Sequence, residues 1–476
     1  MIIPLPDLIP PAEELGAVHF VGIGGAALSG LARLMAERGI VVSGSDAHDT
    51  VLLDSLRELG VRCFVGHDAD QVGRADTVVV STAVPADNPE VLRAAREGLR
   101  LWPRAAAVQS LLLGRRAVVV TGTHGKTTTT SMLVTALLAC GADPSYAIGS
   151  TLTASGLNAA VGHDEVFVVE GDESDAAILA YTPYGAVVTN VDVDHLDFFG
   201  SPEAYADVFD VFLHRIDRSG FCVCGVDDPG GQRLANRSRE LGLQTVTVGE
   251  SASAMLRAVD VEPVAGGSKS EVVRGATVLG RLTLQVPGPA YLVDALAALA
   301  AGLELGYPFA DLTRGLAEFR GSARRMELKG DAAGVRVYDS YAHHPAEISG
   351  DLRAARELAG SGRLLVGFQP HLFSRTRIFG AEMGRALAVA DSVVVMDVYP
   401  AREQPVVGVT GALVAEAATR AGADVVYEPD QALVANRLVA LAHSGDLVLT
   451  LGAGDVTKVG PQVLDLLRAS EGEDPG

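Results

Sequence analysis

The chain has 476 residues, of which 38 are basic and 59 acidic, for a net charge of −21, and 48% are apolar. That length exceeds what one hydrophobic core serves and points to two or three domains. A surface this acidic argues against nucleic acid or an anionic membrane as a partner, because both require basic patches. The four cysteines, Cys63, Cys140, Cys222 and Cys224, show no zinc spacing. Cys222 and Cys224 alternate in the apolar run FCVCGV, which predicts two buried free thiols on one strand face. MIIPLPDLIPPAEE lacks the basic region of a signal peptide, and no stretch is long enough to span a bilayer, so a reducing cytoplasm is the expected location.

The first unit, 1–106, reads strand, turn, helix, strand. VHFV at 18–21 meets Gly22-Ile23-Gly24-Gly25-Ala26-Ala27, after which Leu28, Leu31, Leu34 and Met35 recur at helical spacing until Gly39. IVVSGSD supplies the next strand with Asp46 at its end. VRCFVG and DTVVVST follow, with a helix around 88–98. The turn fits G-x-G-x-x-A, in which a helix N-terminus faces a pyrophosphate and a downstream acid reads a ribose. Alone it suggests a dinucleotide-dependent oxidoreductase, although many nucleotide-diphosphate sites use the same turn.

The second unit, 107–322, opens on the strand AVVVT and the turn Gly122-Thr123-His124-Gly125-Lys126-Thr127-Thr128. Glycines let consecutive N–H groups face a phosphate, Lys126 neutralises the β and γ phosphates, and the Thr127 hydroxyl suits Mg²⁺. Val120 occupies the place where the usual P-loop begins with Gly, and Gly122 lies inside the loop instead. A glycine-rich turn with a solvated lysine is the plainer alternative. EVFVVEGDES then brings Glu170, Asp172, Glu173 and Asp175 to a strand end, where one or two carboxylates suit Mg²⁺. GAVVTNVDVDH places Asp194 and His195 after a third strand. Together with the P-loop, these loops disfavour a simple dehydrogenase. Residues 245–287, rich in β-branched side chains and turn signals, predict a small sheet rather than further βαβ units, followed by a helix around 291–303.

The third unit, 323–476, alternates strands VRVYDS, RLLVGFQP, SVVVMDVY, DVVYEP and DLVLTLGAGD with helices such as 345–359 and 411–421. Polar clusters follow the strands (SYAHHP, QPHLFSRT, YPAREQ, GAGD), where ligands bind in open parallel sheets. ASEGEDPG at the end reads as a disordered tail. The fold class is therefore α/β in three domains: N-terminal Rossmann-like, central P-loop ATPase-like and C-terminal Rossmann-like.

VHFVGIGGAALSG, TGTHGKTTTT, EGDESD, VTNVDVDHLDFFGS, RRMELKG, YAHHPAEI, FQPHLFSRTRIF, DVYPAREQP and LTLGAGDV occur in the order and approximate spacing of the Mur ligase family, which the chain resembles over nearly its whole length. YAHHP and QPHxxSRT resemble the branch that joins L-alanine to UDP-N-acetylmuramate in peptidoglycan precursor synthesis. The resemblance implies ATP and Mg²⁺ as cofactors and an acyl-phosphate mechanism in a monomer or weak homodimer. It implies catalytic roles for Lys126, Glu173, His195, Arg325 and His344, with Thr127, Glu173 and His195 on Mg²⁺. Gly122, Thr123, His124, Gly125, Lys126, Thr127, Thr128 and Asp294 would hold the nucleotide. Gly22, Gly24, Gly25, Ser29, Asp46, Ser81 and Thr82 would cradle the UDP end, with Tyr341, His343, His344, Arg375 and Arg377 facing alanine and muramate.

Three places depart from the family pattern. Ala27 adds a methyl group to the first turn. Ala290, Tyr291 and Asp294 stand where the family carries His and two Asn, the second of which reads adenine. An ionised carboxylate only accepts, so recognition of the base changes. Ser340 replaces the second acid of Asp-Asp-Tyr, expected near the ATP ribose. These changes leave open a diverged paralogue with altered nucleotide or acceptor use (Ser or Gly for Ala), or a non-catalytic nucleotide-binding protein.

Overall fold

The computed structural model describes residues 3–264, 266–401 and 403–472. Val-rich runs such as Thr77–Val80, Arg116–Thr121 and Leu447–Leu451 are buried along almost their full length, as strands covered on both faces require. They build three sheets, and the chain forms two compact units.

The first unit comprises Met1–Asp260, Ser270–Leu282 and Val293–Phe319. Its N-terminal sheet has five parallel strands in the order Arg62–Val65, Val42–Asp46, Val18–Val21, Thr77–Val80, Arg100–Pro103. The order reverses at Val18–Val21, so the Gly22–Gly25 turn leaves the sheet at its switch point. In the second sheet Arg116–Thr121 lies between Gly185–Val188 and Val166–Glu170, all parallel. This adjacency delivers the P-loop, the VTN loop and the EGDESD loop to one sheet edge. Helix Arg104–Leu112 is buried from Ala105 onward, in a core that continues from Leu15 and Trp102 to Phe167, Tyr181 and Phe209. The two sheets therefore share one apolar interior.

The strands Leu256–Val264, Gly267–Arg274 and Thr277–Leu284 do follow one another without helices, but they are not a separate sheet. They extend the ten-stranded central one through the pairing of Val248 with Leu256. Cys222 and Cys224 are buried and free, with sulfurs 3.5 Å apart, as their alternation predicts.

The second unit comprises Val261–Lys269, Thr283–Leu292 and Arg320–Gly476. Its six-stranded sheet runs Glu327–Ala332, Val335–Ser340, Leu447–Leu451, Leu364–Phe368, Ser392–Val395, Asp424–Tyr427, and only the first strand is antiparallel to its neighbour. Helices Pro345–Ala359 and Ala412–Arg420 match the expected 345–359 and 411–421. Of the expected tail, residues 469–472 continue the helix Val459–Gly472, and the last four residues lie outside the described range. The side chains of Val459, Val463 and Leu467, at helical spacing, dock that helix in the core.

Arg324, at φ 59°, lies in the turn before the strand Glu327–Ala332. Its guanidinium donates to the Gly452 carbonyl at 2.6 Å and to Asp339 at 3.3 Å, and Asp339 also accepts from Thr450 (2.6 Å) and Thr457 (2.8 Å). Asp339 is fully buried, so its charge depends on these donors. Asp339→Ala is expected to destabilise this unit by about 3 kcal/mol, because it strands the guanidinium. Chemical denaturation checks this, and a midpoint equal to wild type would contradict it.

Candidate functional site

In the first unit the strand Arg116–Thr121 ends at Gly122, and the chain turns through Gly125 (φ 81°) into the helix Lys126–Ala139. The VTN loop fixes the turn from beside it: Thr123 N–H donates to the Asn190 carbonyl at 3.1 Å, and His124 N–H to Asn190 Oδ1 at 2.9 Å. Lys126 Nζ donates to the carbonyls of Gly122 (2.7 Å) and Thr123 (2.9 Å) and to Glu173 Oε1 (3.0 Å). Burial alone would lower the lysine pKa, but Glu173, Asp172 and Glu170 together hold it above its ordinary value, so the ammonium stays charged.

Glu173 is fully buried, and its Oε2 has no hydrogen-bond partner among the described residues. His195 Nε2 stands 3.6 Å from Glu173 Oε1 and 3.6 Å from Asp194 Oδ2. The Thr127 hydroxyl donates to Glu170 Oε1 at 3.0 Å, and Glu170 Oε2 accepts from Gly149 N–H at 2.7 Å. The structure thus brings Lys126, Glu173 and His195 together, and it ties Thr127 to Glu170. Thr128 is buried in the first helical turn. Asp294 accepts from Thr129 at 3.1 Å, and its carboxylate fills the space a side chain at Gly125 would need. The turn therefore requires glycine, and a carboxylate lies against the phosphate-binding backbone. Tyr205, which sequence reasoning missed, lies 2.9 Å from Thr123 Oγ1 and 3.5 Å from Glu173 Oε1, its ring beside His195. Its only signal was a tyrosine on the apolar face of a helix capped by Ser201.

The glycine-rich turn of the same unit lines a cavity of about 250 Å³ with Gly22, Gly25, Ala26, Ala27, Leu28, Ser81, Thr82, Arg104 and Asp172. Asp46 Oδ2 accepts from Gly24 N–H at 2.8 Å, so close that a Cβ on Gly24 would meet the carboxylate at 2.9 Å. Ser29 is buried and donates to the Ala26 carbonyl at 3.1 Å. Of the predicted residues, Gly22, Gly25, Ser81 and Thr82 reach the cavity wall, whereas Asp46 and Ser29 brace the turn. Arg104 was not foreseen.

In the second unit His343, His344 and Tyr341 follow the strand Val335–Ser340. His344 caps the helix Pro345–Ala359: Ala346 N–H donates to its Nδ1 at 3.4 Å, Glu347 completes the capping box, and its ring packs on Phe379. The structure thus shows His344 as the cap of this helix. His343 Nδ1 lies 2.9 Å from the Tyr341 carbonyl, so it donates there and leaves Nε2 as an acceptor. Burial, reinforced by Arg375 and His371 and opposed by Glu347, pushes the His343 pKa down to about 3 and keeps the ring neutral. Its neighbours His371 and Tyr399, stacked at 5.8 Å, also went unforeseen, although the quoted motifs QPHLFSRT and DVYPAREQP contain them. Arg375 is buried and Arg377 exposed. Arg325 sits 5.5 Å from the centre of the Tyr341 ring and 3.9 Å from Glu347, and Tyr291 donates to its carbonyl at 2.9 Å.

A phosphate-binding turn, a charged lysine on a buried carboxylate and a glycine-rich turn at a sheet switch point define an α/β protein built to handle nucleotides. The chain matches three family descriptions: Mur ligase family, catalytic domain (17–116), Mur ligase middle domain (120–302) and Mur ligase, glutamate ligase domain (324–454). It is 58% identical to a UDP-N-acetylmuramate–L-alanine ligase of Nocardioides, over 98% of this chain and all of the relative. A ligase of the same description from Kineococcus radiotolerans is 52% identical, over 95% of this chain and 97% of the relative. The crystal structure of the UDP-N-acetylmuramate–alanine ligase of Thermotoga maritima superposes with a TM-score of 0.81 at 28% identity, covering 95% of this chain and 99% of the other. The chain belongs to the Mur ligase family, whose fold and ATP-dependent ligase class it shares.

Ser340, where an acid was expected, donates its hydroxyl to Asp351, so a carboxylate from the next helix stands beside that position. Burial pushes Asp351 up to about 6, with Glu347 adding to the shift and Ser340 and Arg325 opposing it. A carboxyl group whose folded pKa exceeds the usual value near 3.9 favours folding below that pH, and this contribution is lost as pH rises through 6. Asp351→Asn is therefore expected to raise Tm relative to wild type at pH 8, with little difference at pH 4. Equal Tm gaps at both pH values would count against it.

Proposed function

We propose that this chain joins L-alanine to the lactyl carboxylate of UDP-N-acetylmuramate at the expense of ATP. The observation that carries the reading is the cluster of Lys126, Glu173 and His195 at the mouth of the P-loop, with one buried carboxylate oxygen unpartnered. The lactyl carboxylate oxygen attacks the γ-phosphorus, the bond to the β-phosphate oxygen breaks, and ADP leaves behind an acyl phosphate. The neutral alanine amine then attacks the acyl carbon, and inorganic phosphate departs from the tetrahedral adduct as the amide forms. Lys126 stabilises charge on the transferring phosphoryl group, work that is chiefly electrostatic in phosphoryl transfer.

Mg²⁺ fits the residues present. Glu173 Oε2 is a buried oxygen without a donor, His195 Nε2 lies close by, and the Thr127 hydroxyl gives its proton to Glu170 and keeps lone pairs available. Glu173, His195 and Thr127 would hold the ion, which would neutralise phosphate charge. Gly22, Gly25, Ser81 and Thr82 bind the UDP end, while Gly24 is committed to Asp46. In the second unit Tyr341, His343, Arg375 and Arg377 serve the acid and its acceptor, Arg325 serves the phosphates, and His344 positions its loop through its cap.

Phosphate release from purified protein with Mg-ATP, UDP-N-acetylmuramate and L-alanine, each omitted in turn, tests the reading. Release should require all three, and Lys126→Ala should cut it at least a hundredfold. Release without the sugar nucleotide, or near-normal turnover in the variant, would overturn the assignment. Serine and glycine in place of alanine define the acceptor.

Asp294 supports an adjustment at the nucleotide. Its negative charge lies against the Gly125 backbone, where the anionic triphosphate is to bind, and it weakens that binding by repulsion. Asp294→Asn is expected to lower the KM for ATP several-fold, and competition with GTP reads the effect on base selection. An unchanged KM would remove Asp294 from nucleotide recognition.

A further inference from the structure

Among the described residues, Arg104 is the one cation on the wall of the cavity at the glycine-rich turn. It is the first residue of the helix Arg104–Leu112, directly after the last strand of the N-terminal sheet. Its Nη2 lies 2.7 Å from Asp172 Oδ2 of the EGDESD loop, and Asp175 faces it as well. Asp172 is held in turn by Ser174 N–H at 3.0 Å. The helix Ala26–Glu37, whose first residues line the same cavity, begins without a side-chain cap and without an acidic residue in its first turn, so its leading N–H groups lack partners from that source. An arginine and an uncapped helix start lining one cavity suit a phosphate-like dianion. In this structure a carboxylate of the chain itself meets the arginine.

Resting on the function proposed above, we propose that Asp172 is an internal stand-in for the diphosphate of the sugar nucleotide: it holds Arg104 in the cavity until that diphosphate takes the guanidinium from it. The exchange reaches further because of where Asp172 sits. Two residues before it, Glu170 holds the Thr127 hydroxyl, and the residue after it, Glu173, holds Lys126. Freeing Asp172 releases the middle of the segment that carries both nucleotide-site carboxylates. Binding of the sugar nucleotide is thereby coupled energetically to binding of ATP, and the coupling is reciprocal.

The test is a set of calorimetric titrations of the full chain with UDP-N-acetylmuramate and with UDP, in the presence and absence of a non-hydrolysable Mg-ATP analogue. Asp172→Asn removes the competitor and is expected to tighten both ligands at least fivefold, whereas a merely structural salt bridge would weaken binding when cut. Arg104→Gln is expected to weaken both at least tenfold, and the double variant should lose the gain seen in Asp172→Asn. The mutual effect of the sugar nucleotide and the ATP analogue, present in wild type, should shrink towards unity in Asp172→Asn. If that variant fails to fold, Asp172→Ser gives the same readout. Unchanged or weaker UDP binding in a folded Asp172 variant overturns the exchange and leaves the ligase reading intact. Wild-type protein that binds UDP but not UDP-N-acetylmuramate overturns the ligase reading, while tighter UDP binding in Asp172→Asn would still uphold the exchange.

Discussion

The contact between Lys126 and Glu173 organises the first unit's chemistry. A fully buried carboxylate is tolerated only if cations or donors stabilise it, and a buried ammonium needs the reverse. Each supplies what the other lacks, across 3.0 Å, and Lys126 spends its remaining donors on two P-loop carbonyls. For the pair to form, the strand carrying EGDESD must lie beside the strand carrying the P-loop. Parallel pairing of Val166–Glu170 with Arg116–Thr121 provides this, and Gly185–Val188 on the other side brings the VTN loop. The strand order thus explains why three loops far apart in the chain share one site.

The strands themselves were plain in the sequence because parallel strands buried on both faces leave uninterrupted runs of Val and Ala. The P-loop was plain because its chemistry is local: glycines, lysine and threonine act within a few residues of one another. Asp172 and Glu173 were visible as acids, but their assignment to Arg104 and to Lys126 was not. Arg104 has no motif around it, and its partner lies 68 positions away in the chain. Tyr205 looked like any apolar-face aromatic. The continuation of the central sheet through Val248 and Leu256 was missed because one backbone pairing leaves no mark on side-chain pattern. Residues 469–472 were taken with the tail because this last turn of the helix is polar, whereas the residues that dock the helix, Val459, Val463 and Leu467, precede it.

The departures from the family pattern look different with side chains in place. Ser340 is a loss of charge when read alone, yet its hydroxyl meets Asp351, so a carboxylate is still present and has moved to the neighbouring helix. Tyr291 stands where an amide was expected and instead fastens the backbone of Arg325. Asp294 accepts from Thr129 and brings a carboxylate against the Gly125 backbone. Substitution at a motif position is therefore a change of partner as often as a loss of function, and only the neighbours distinguish the two.

Three cations suited to anionic ligands are each already paired with a carboxylate of their own unit: Lys126 with Glu173, Arg104 with Asp172, and Arg325 with Glu347. In a chain of net charge −21 this arrangement has a physical logic. An unpaired buried cation would destabilise the fold, and a wholly solvated one would offer little discrimination among anions. A cation paired in advance binds an anion by exchange, so the net gain is the difference between two charge-assisted contacts and not the whole of one. Exchange limits affinity for a weakly charged ligand, which cannot outcompete the internal carboxylate. It favours a ligand that brings more charge to the pair than a carboxylate does, as a triphosphate or a sugar-nucleotide diphosphate would. Selectivity then comes from the internal pair a ligand must open, and the acidic residues that seemed to work against anion binding become part of how the anion is chosen.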